Sequence, residues 1–143
     1  KNVTCFSHHP IGDYVVMGSD DCTWSLHDIK NSQLLVRVQT KVAITAIEFH
    51  PDGLVLGVGL ANGTVVIYDI RTQEKAITLE GPVKDSTTTA VSQIQFSNKG
   101  FHLAVAWEGQ EICRVYSMHK QNQFVDVKMQ GVAVQSICFD HYG

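Results

Sequence analysis

Short apolar runs, broken by Gly, Asp, Asn, Ser and Pro, recur along the whole chain. Within many runs apolar and polar positions alternate, the period of a strand with one face buried. The first stretch predicts strands at 3–6, 14–18, 23–29 and 34–38, with turns at 9–13, 19–21 and 31–32. A second copy predicts strands at 42–49, 54–58, 64–70 and 75–79. His50-Pro51-Asp52-Gly53 separates its first two strands, and Ala61-Asn62-Gly63 the next two. The Asn-Gly pair suits the positive φ of a tight hairpin. A third copy predicts strands at 91–96, 101–107, 112–118 and 124–129, and 132–139 reads as the opening strand of a fourth. No segment combines a long 3.6-residue apolar period with a cap. The pattern is that of nearly pure antiparallel sheet.

The copies recur at a fixed period. A strand ending in Phe and followed by a turn occurs at Phe6, Phe49, Phe96 and Phe139, at intervals of 43, 47 and 43 residues. Repeats of this length are the blades of β-propellers. The expected fold is therefore all-β: about three four-stranded blades plus the first strand of a further one. The divisions fall at 1–40, 41–80 and 91–130 for the blades, 81–90 for a polar inter-blade loop, and 131–143 for the start of the next blade. Propellers close with about four to eight blades. An open arc exposes the apolar flanks of its end blades, so the chain is expected to be part of a longer one.

The third strand of each copy ends in a ring-bearing residue followed by a polar one: His27-Asp28, Tyr68-Asp69 and Tyr116-Ser117. At the preceding turns stand Asp21 with Thr23, and Asn62 with Thr64; Gln110 departs from the pattern. A turn Asp accepts bonds from backbone N–H groups and fixes a hairpin. These features resemble WD40 repeats. The resemblance implies structural roles for Asp21, Thr23, Asp28, Asn62, Thr64 and Asp69, and a complete domain of about seven blades. No Gly-His pair precedes the first strand of any copy, so the full His–Ser/Thr–Trp–Asp network of such repeats is not expected.

The wording of the repeats narrows the resemblance. GDYVVMGSDDCTWSLHDI at 12–29, FHPDGLVLGVG at 49–59 and VSQIQFSNKGFHLAVAW at 91–107 are similar, in order, to the WD40 domain of the pre-mRNA-processing factor nineteen family. The Asp20-Asp21 turn, the early Trp24 and the non-Trp His27 before Asp28 belong to the match. Such membership implies a nuclear splicing factor, also found in the cytoplasm, whose partners are spliceosomal and nineteen-complex proteins. It implies an N-terminal U-box that engages an E2 enzyme, a coiled coil that makes a homo-tetramer, and a propeller that recruits ubiquitination substrates. This chain corresponds to the later blades of that propeller and carries neither the U-box nor the coiled coil. The alternative is a WD40 scaffold or substrate receptor of another complex, without a U-box.

Composition narrows the function classes. Charged residues make up 17% and the net charge is -3, with Lys and Arg scattered. No basic cluster alternates with aromatics, so no direct nucleic-acid footprint is expected. No apolar run reaches membrane-spanning length, and no signal peptide is read at the N-terminus. Cys5, Cys22, Cys113 and Cys138 form no CxxC; Cys5 and Cys138 both precede a Phe and read as equivalent positions. Free buried thiols fit a reducing compartment.

Candidate chemistry is sparse. His8-His9 with Asp13 lacks a ligand set, and neighbouring strand-end side chains diverge. His50 lies in a turn with no apparent chemical partner, and His27 reads as packing. Gly57-Val58-Gly59 has no phosphate-loop pattern or following helix. Asp20, Asp21 and Asp28 read as turn residues. Neither cofactor nor metal is expected, and no nucleophile, base and stabiliser converge. Trp107 reads either as an aromatic anchor for a partner or as a buried strand end. Lys84 and Asp85, in the polar loop 80–90, read either as a partner epitope or as solvated surface.

Overall fold

A computed structural model describes residues 1–82, 89–120 and 123–140. The strands are β1 (Val3–His8), β2 (Tyr14–Ser19), β3 (Thr23–Asp28), β4 (Gln33–Gln39), β5 (Ile44–Phe49), β6 (Val55–Leu60), β7 (Val65–Asp69), β8 (Lys75–Leu79), β9 (Val91–Phe96), β10 (His102–Trp107), β11 (Ile112–Ser117) and β12 (Phe124–Lys128). They form three four-stranded antiparallel sheets, each in sequence order: β1 to β4, β5 to β8 and β9 to β12. This is the predicted succession of blades, with strand limits moved by a residue or two.

Apolar residues lie between the sheets. Val16, Trp24 and Leu26 of the first blade pack with Ile47, Phe49, Leu56, Val58, Val66 and Tyr68 of the second. Ala46, Val65 and Ile67, on the second blade's other face, pack with Ile94, Phe96, Leu103, Val105 and Trp107 of the third. The middle blade is covered on both faces, so β6 and β7 lose their polar alternation and read as near-continuous apolar runs. Small residues set the spacing. A Cβ on Gly18 would meet Ile44, and one on Gly59 would meet Val91 of the next blade.

The register corrects the Phe repeat. Phe49 pairs with Leu56 and Phe96 with Leu103. In the first blade the corresponding pair is His8 with Val15, whereas Phe6 pairs with Met17. His8, not Phe6, is the structural counterpart of Phe49. Phe6 corresponds to Ile47 and Ile94, which are 6% and 5% exposed between blades, yet Phe6 is 72% exposed. Cys5 and Cys138 are consequently not equivalent: Cys5 aligns with Ala46 in the ladder, whereas Cys138 directly precedes Phe139, whose N–H is held by Gln95 as that of Phe49 is by Ser7, and so corresponds to Glu48 and Gln95.

Residues 132–139 also depart from expectation, for they enter no strand ladder. In the other blades the opening strand pairs with a second strand, and no such partner follows among the described residues. The segment instead lies along β9, tied by side chains. Gln93 donates to the Ile137 carbonyl at 3.1 Å and accepts the Ile137 N–H at 3.0 Å, while Gln95 accepts the Phe139 N–H at 3.1 Å.

Candidate functional site

The first turn of each blade reaches the next blade. In the first blade, the Ile11 N–H donates to His9 Nδ1 at 3.2 Å. The ring proton then belongs on Nε2, which lies 3.1 Å from the Gly53 carbonyl oxygen. The His9 ring meets Phe49 edge-on at 4.9 Å. The second blade repeats the device, with His50 Nε2 3.0 Å from the Gly100 oxygen and its ring edge-on to Phe96 at 5.0 Å. Ser97 stands at the corresponding place in the third blade, and the adjacent Asn98 donates to the Asp140 carbonyl at 3.1 Å. Sequence reasoning left His9 and His50 without a partner. The available signal was the same His-Pro-x-Gly turn in consecutive copies, with a Gly in the next turn to receive it.

The repeat positions brace turns. Thr23 Oγ1 donates to Asp21 Oδ1 at 2.6 Å, while Arg37 and Lys1 approach Oδ2 at 3.3 and 3.4 Å. The Thr23 bond chiefly lowers the Asp21 carboxyl to about 2. Asn62 Oδ1 accepts the Thr64 N–H at 3.2 Å. Asp28 accepts from the Asn31 main-chain and side-chain nitrogens at 3.0 and 2.8 Å. Asp69 accepts from the Arg71 N–H at 2.9 Å and from its guanidinium at 2.8 Å, which holds its carboxyl near about 2. These six residues are spread over four turns and converge on no common point.

Trp107 is buried, with 1% exposure. Its Nε1–H donates across the seam to the Gly63 carbonyl at 2.8 Å, and a Cβ on Gly81 would strike the indole. The structure thus places Trp107 as a clamp between blades rather than on a binding face. Lys84 and Asp85 lie outside the described residues.

Of the open grooves among the described residues, two border the blade seams. One, of about 380 Å³, follows the innermost strands of all three blades and is lined by Thr4, Ser7, Thr45, Glu48, Gln93 and Gln95, among others. The other, of about 240 Å³, lies between β8 and β11 and is lined by Ile77, Leu79, Tyr116 and Met118. Among the described residues no hydroxyl or thiol lining either groove is hydrogen-bonded to a carboxylate or an imidazole. The cysteines are unpaired, and burial raises the thiols of Cys5 and Cys113, the opposite of an activated nucleophile. Among the described residues no group of three His, Cys, Asp or Glu is placed to hold a metal ion.

Sequence comparisons agree with this architecture. Residues 1–142 match the β-propeller family described as nucleolar protein 10-like, N-terminal domain. The chain is 34% identical over 119 residues to pre-mRNA-processing factor 19 homolog 2 of Arabidopsis thaliana, covering 81% of this chain and 21% of that protein. It is 33% identical over 107 residues to pre-mRNA-processing factor 19 of Dictyostelium discoideum, covering 73% of this chain and 20% of that protein. The Caenorhabditis elegans protein of the same name is 40% identical over 78 residues, 52% of this chain and 16% of its own length. The chain thus spans about a fifth or less of the curated relatives named here. It belongs to the nucleolar protein 10-like N-terminal β-propeller family and is a segment homologous to the WD-repeat region of pre-mRNA-processing factor 19.

Proposed function

We propose that this segment is a non-catalytic protein-interaction and substrate-recruitment scaffold of a nuclear pre-mRNA splicing factor. The observation that carries this reading is the 34% identity, over 119 residues, to a protein named for pre-mRNA processing. The fold supports it: packed seams hold the blades against one another, and the turns not engaged in those seams are available for recognition. Spliceosomal and nineteen-complex proteins are the proposed partners. The connector bearing Lys84 and Asp85 is the proposed contact segment, and Trp107 is withdrawn from that role by its burial. The intact protein is proposed to be a tetrameric ubiquitin ligase that engages E2 through a U-box outside this segment.

A second reading, a WD40 scaffold of another complex without a U-box, is favoured by the nucleolar description of the family matched over 1–142. Affinity purification of the intact endogenous protein, with mass spectrometry of bait and partners, separates the two. Splicing proteins together with U-box peptides in the bait are the expected result. A different assembly and a bait without a U-box would sink the first reading in favour of the second.

A further inference from the structure

A side chain on the first strand of each blade faces a main-chain N–H of the following unit. In the first blade Ser7 Oγ accepts the Phe49 N–H at 3.1 Å. In the third, Gln95 Oε1 accepts the Phe139 N–H at 3.1 Å. Glu48 holds the same place in the second blade and faces the Phe96 N–H. Its neighbours in the series are neutral, whereas Glu48 is a half-buried acid that lines the open groove along the first strands, with its Oε2 enclosed and without a hydrogen-bond partner.

Among the described residues, the strands packed against it supply no cation to compensate it. β1, β2, β6 and β9 pack on β5 and contain no Lys, Arg, Asp or Glu. The titratable groups those strands carry are Cys5, His8 and Tyr14, and β5 has no ionisable side chain besides Glu48 itself. A buried charge without a partner costs far more than a buried neutral acid. Relief requires protonation or the admission of water to Oε2.

We propose that Glu48 is a protonation latch: as a neutral acid it closes the seam between the second and third blades, and as a carboxylate it draws water in and loosens that seam. Burial, opposed only by the Phe96 N–H, raises the Glu48 carboxyl from 4.5 to about 7. The sign follows from linkage. Between those values the folded state holds a proton that the unfolded state has released, so stability falls as pH rises through the window. The latch thus opens near neutrality, where small changes of pH move it most.

Hydrogen exchange on the intact protein tests this, with protection factors corrected for the intrinsic pH dependence of exchange. Amides of 44–49 and 91–96 in the wild type are expected to lose about tenfold protection between pH 6 and pH 8, since each unit between 4.5 and about 7 is a factor of about ten and the loss levels off above it. Glu48→Gln, which installs the side chain found in the third blade, is expected to hold protection constant. Glu48→Ser, which installs the side chain found in the first blade, serves the same purpose should the Gln variant fail to fold. Constant protection in the wild type overturns the proposal. So does an equal pH-dependent loss in the variant that folds.

Discussion

Gly100 has φ of 73°, and a Cβ there would overlap the His50 imidazole. Gly109 has φ of 66°, yet a Cβ there would meet nothing within 4 Å. The pair separates backbone strain from seam overlap. Gly109→Ala carries the left-handed penalty alone, roughly 1 kcal/mol. Gly100→Ala adds displacement of the histidine and is expected to cost about 3 kcal/mol. Equilibrium urea denaturation of the two variants reads the difference directly. Trp107→Phe is a similarly narrow test. It keeps most of the ring but leaves the Gly63 carbonyl without its donor, at a cost of about 1 to 2 kcal/mol in the same assay. At this scale the sequence was informative about turns, whereas the seams left only the recurring His-Pro turn and the Gly of the next copy as their trace. Asp28, Asp69 and Asn62 act within their own hairpins, where spacing along the chain is enough. His9, His50 and Trp107 find partners a whole blade away, and no local pattern contains that distance.

At the scale of elements, β6 and β7 were legible because continuous burial leaves a continuous apolar run. The first blade was harder. Phe6 looks like Phe49 by its place before a turn, but it sits two residues earlier in the ladder. One face of this blade is uncovered among the described residues, so a large apolar side chain there has no enclosing cavity to fix its register. The His-Pro turn is the better ruler, because its geometry is set by bonds to the next blade. The segment 132–139 shows the complementary case: an apolar pattern suited to a strand, docked by glutamine side chains instead of a ladder. Gln93→Ala combined with Gln95→Ala is expected to lower hydrogen-exchange protection of the Ile137 and Phe139 amides, with β2 and β3 unchanged. Retained protection would show that packing alone holds the segment.

For the whole molecule, the carboxyl groups divide into two classes with opposite pH behaviour. Asp21 and Asp69 are lowered to about 2 by the Thr23 and Arg71 bonds. Their contribution is present above the ordinary carboxylate range and is lost as pH falls toward 2. Glu48 acts in the other direction, as its contribution is lost while pH rises toward 7. Stability measured by denaturation across pH is therefore expected to peak on the acidic side of neutrality. Asp21→Asn flattens the acid limb of that curve and Glu48→Gln the neutral limb. An unchanged acid limb in Asp21→Asn would mean that the Thr23 bond is kept in the unfolded chain or compensated elsewhere.

The seam contacts described above also have a direction in time. His9 reaches forward to Gly53, His50 to Gly100, and Ser7 to Phe49. On a ribosome the N-terminal part of the chain emerges first, so each blade leaves the tunnel before the turn that will secure it. A blade completes its own hairpins early, but its histidine stays unanchored until the next blade has been synthesised. Assembly is therefore a relay, in which each arriving unit locks the one before it, and a pause in translation holds one imidazole waiting at the growing edge.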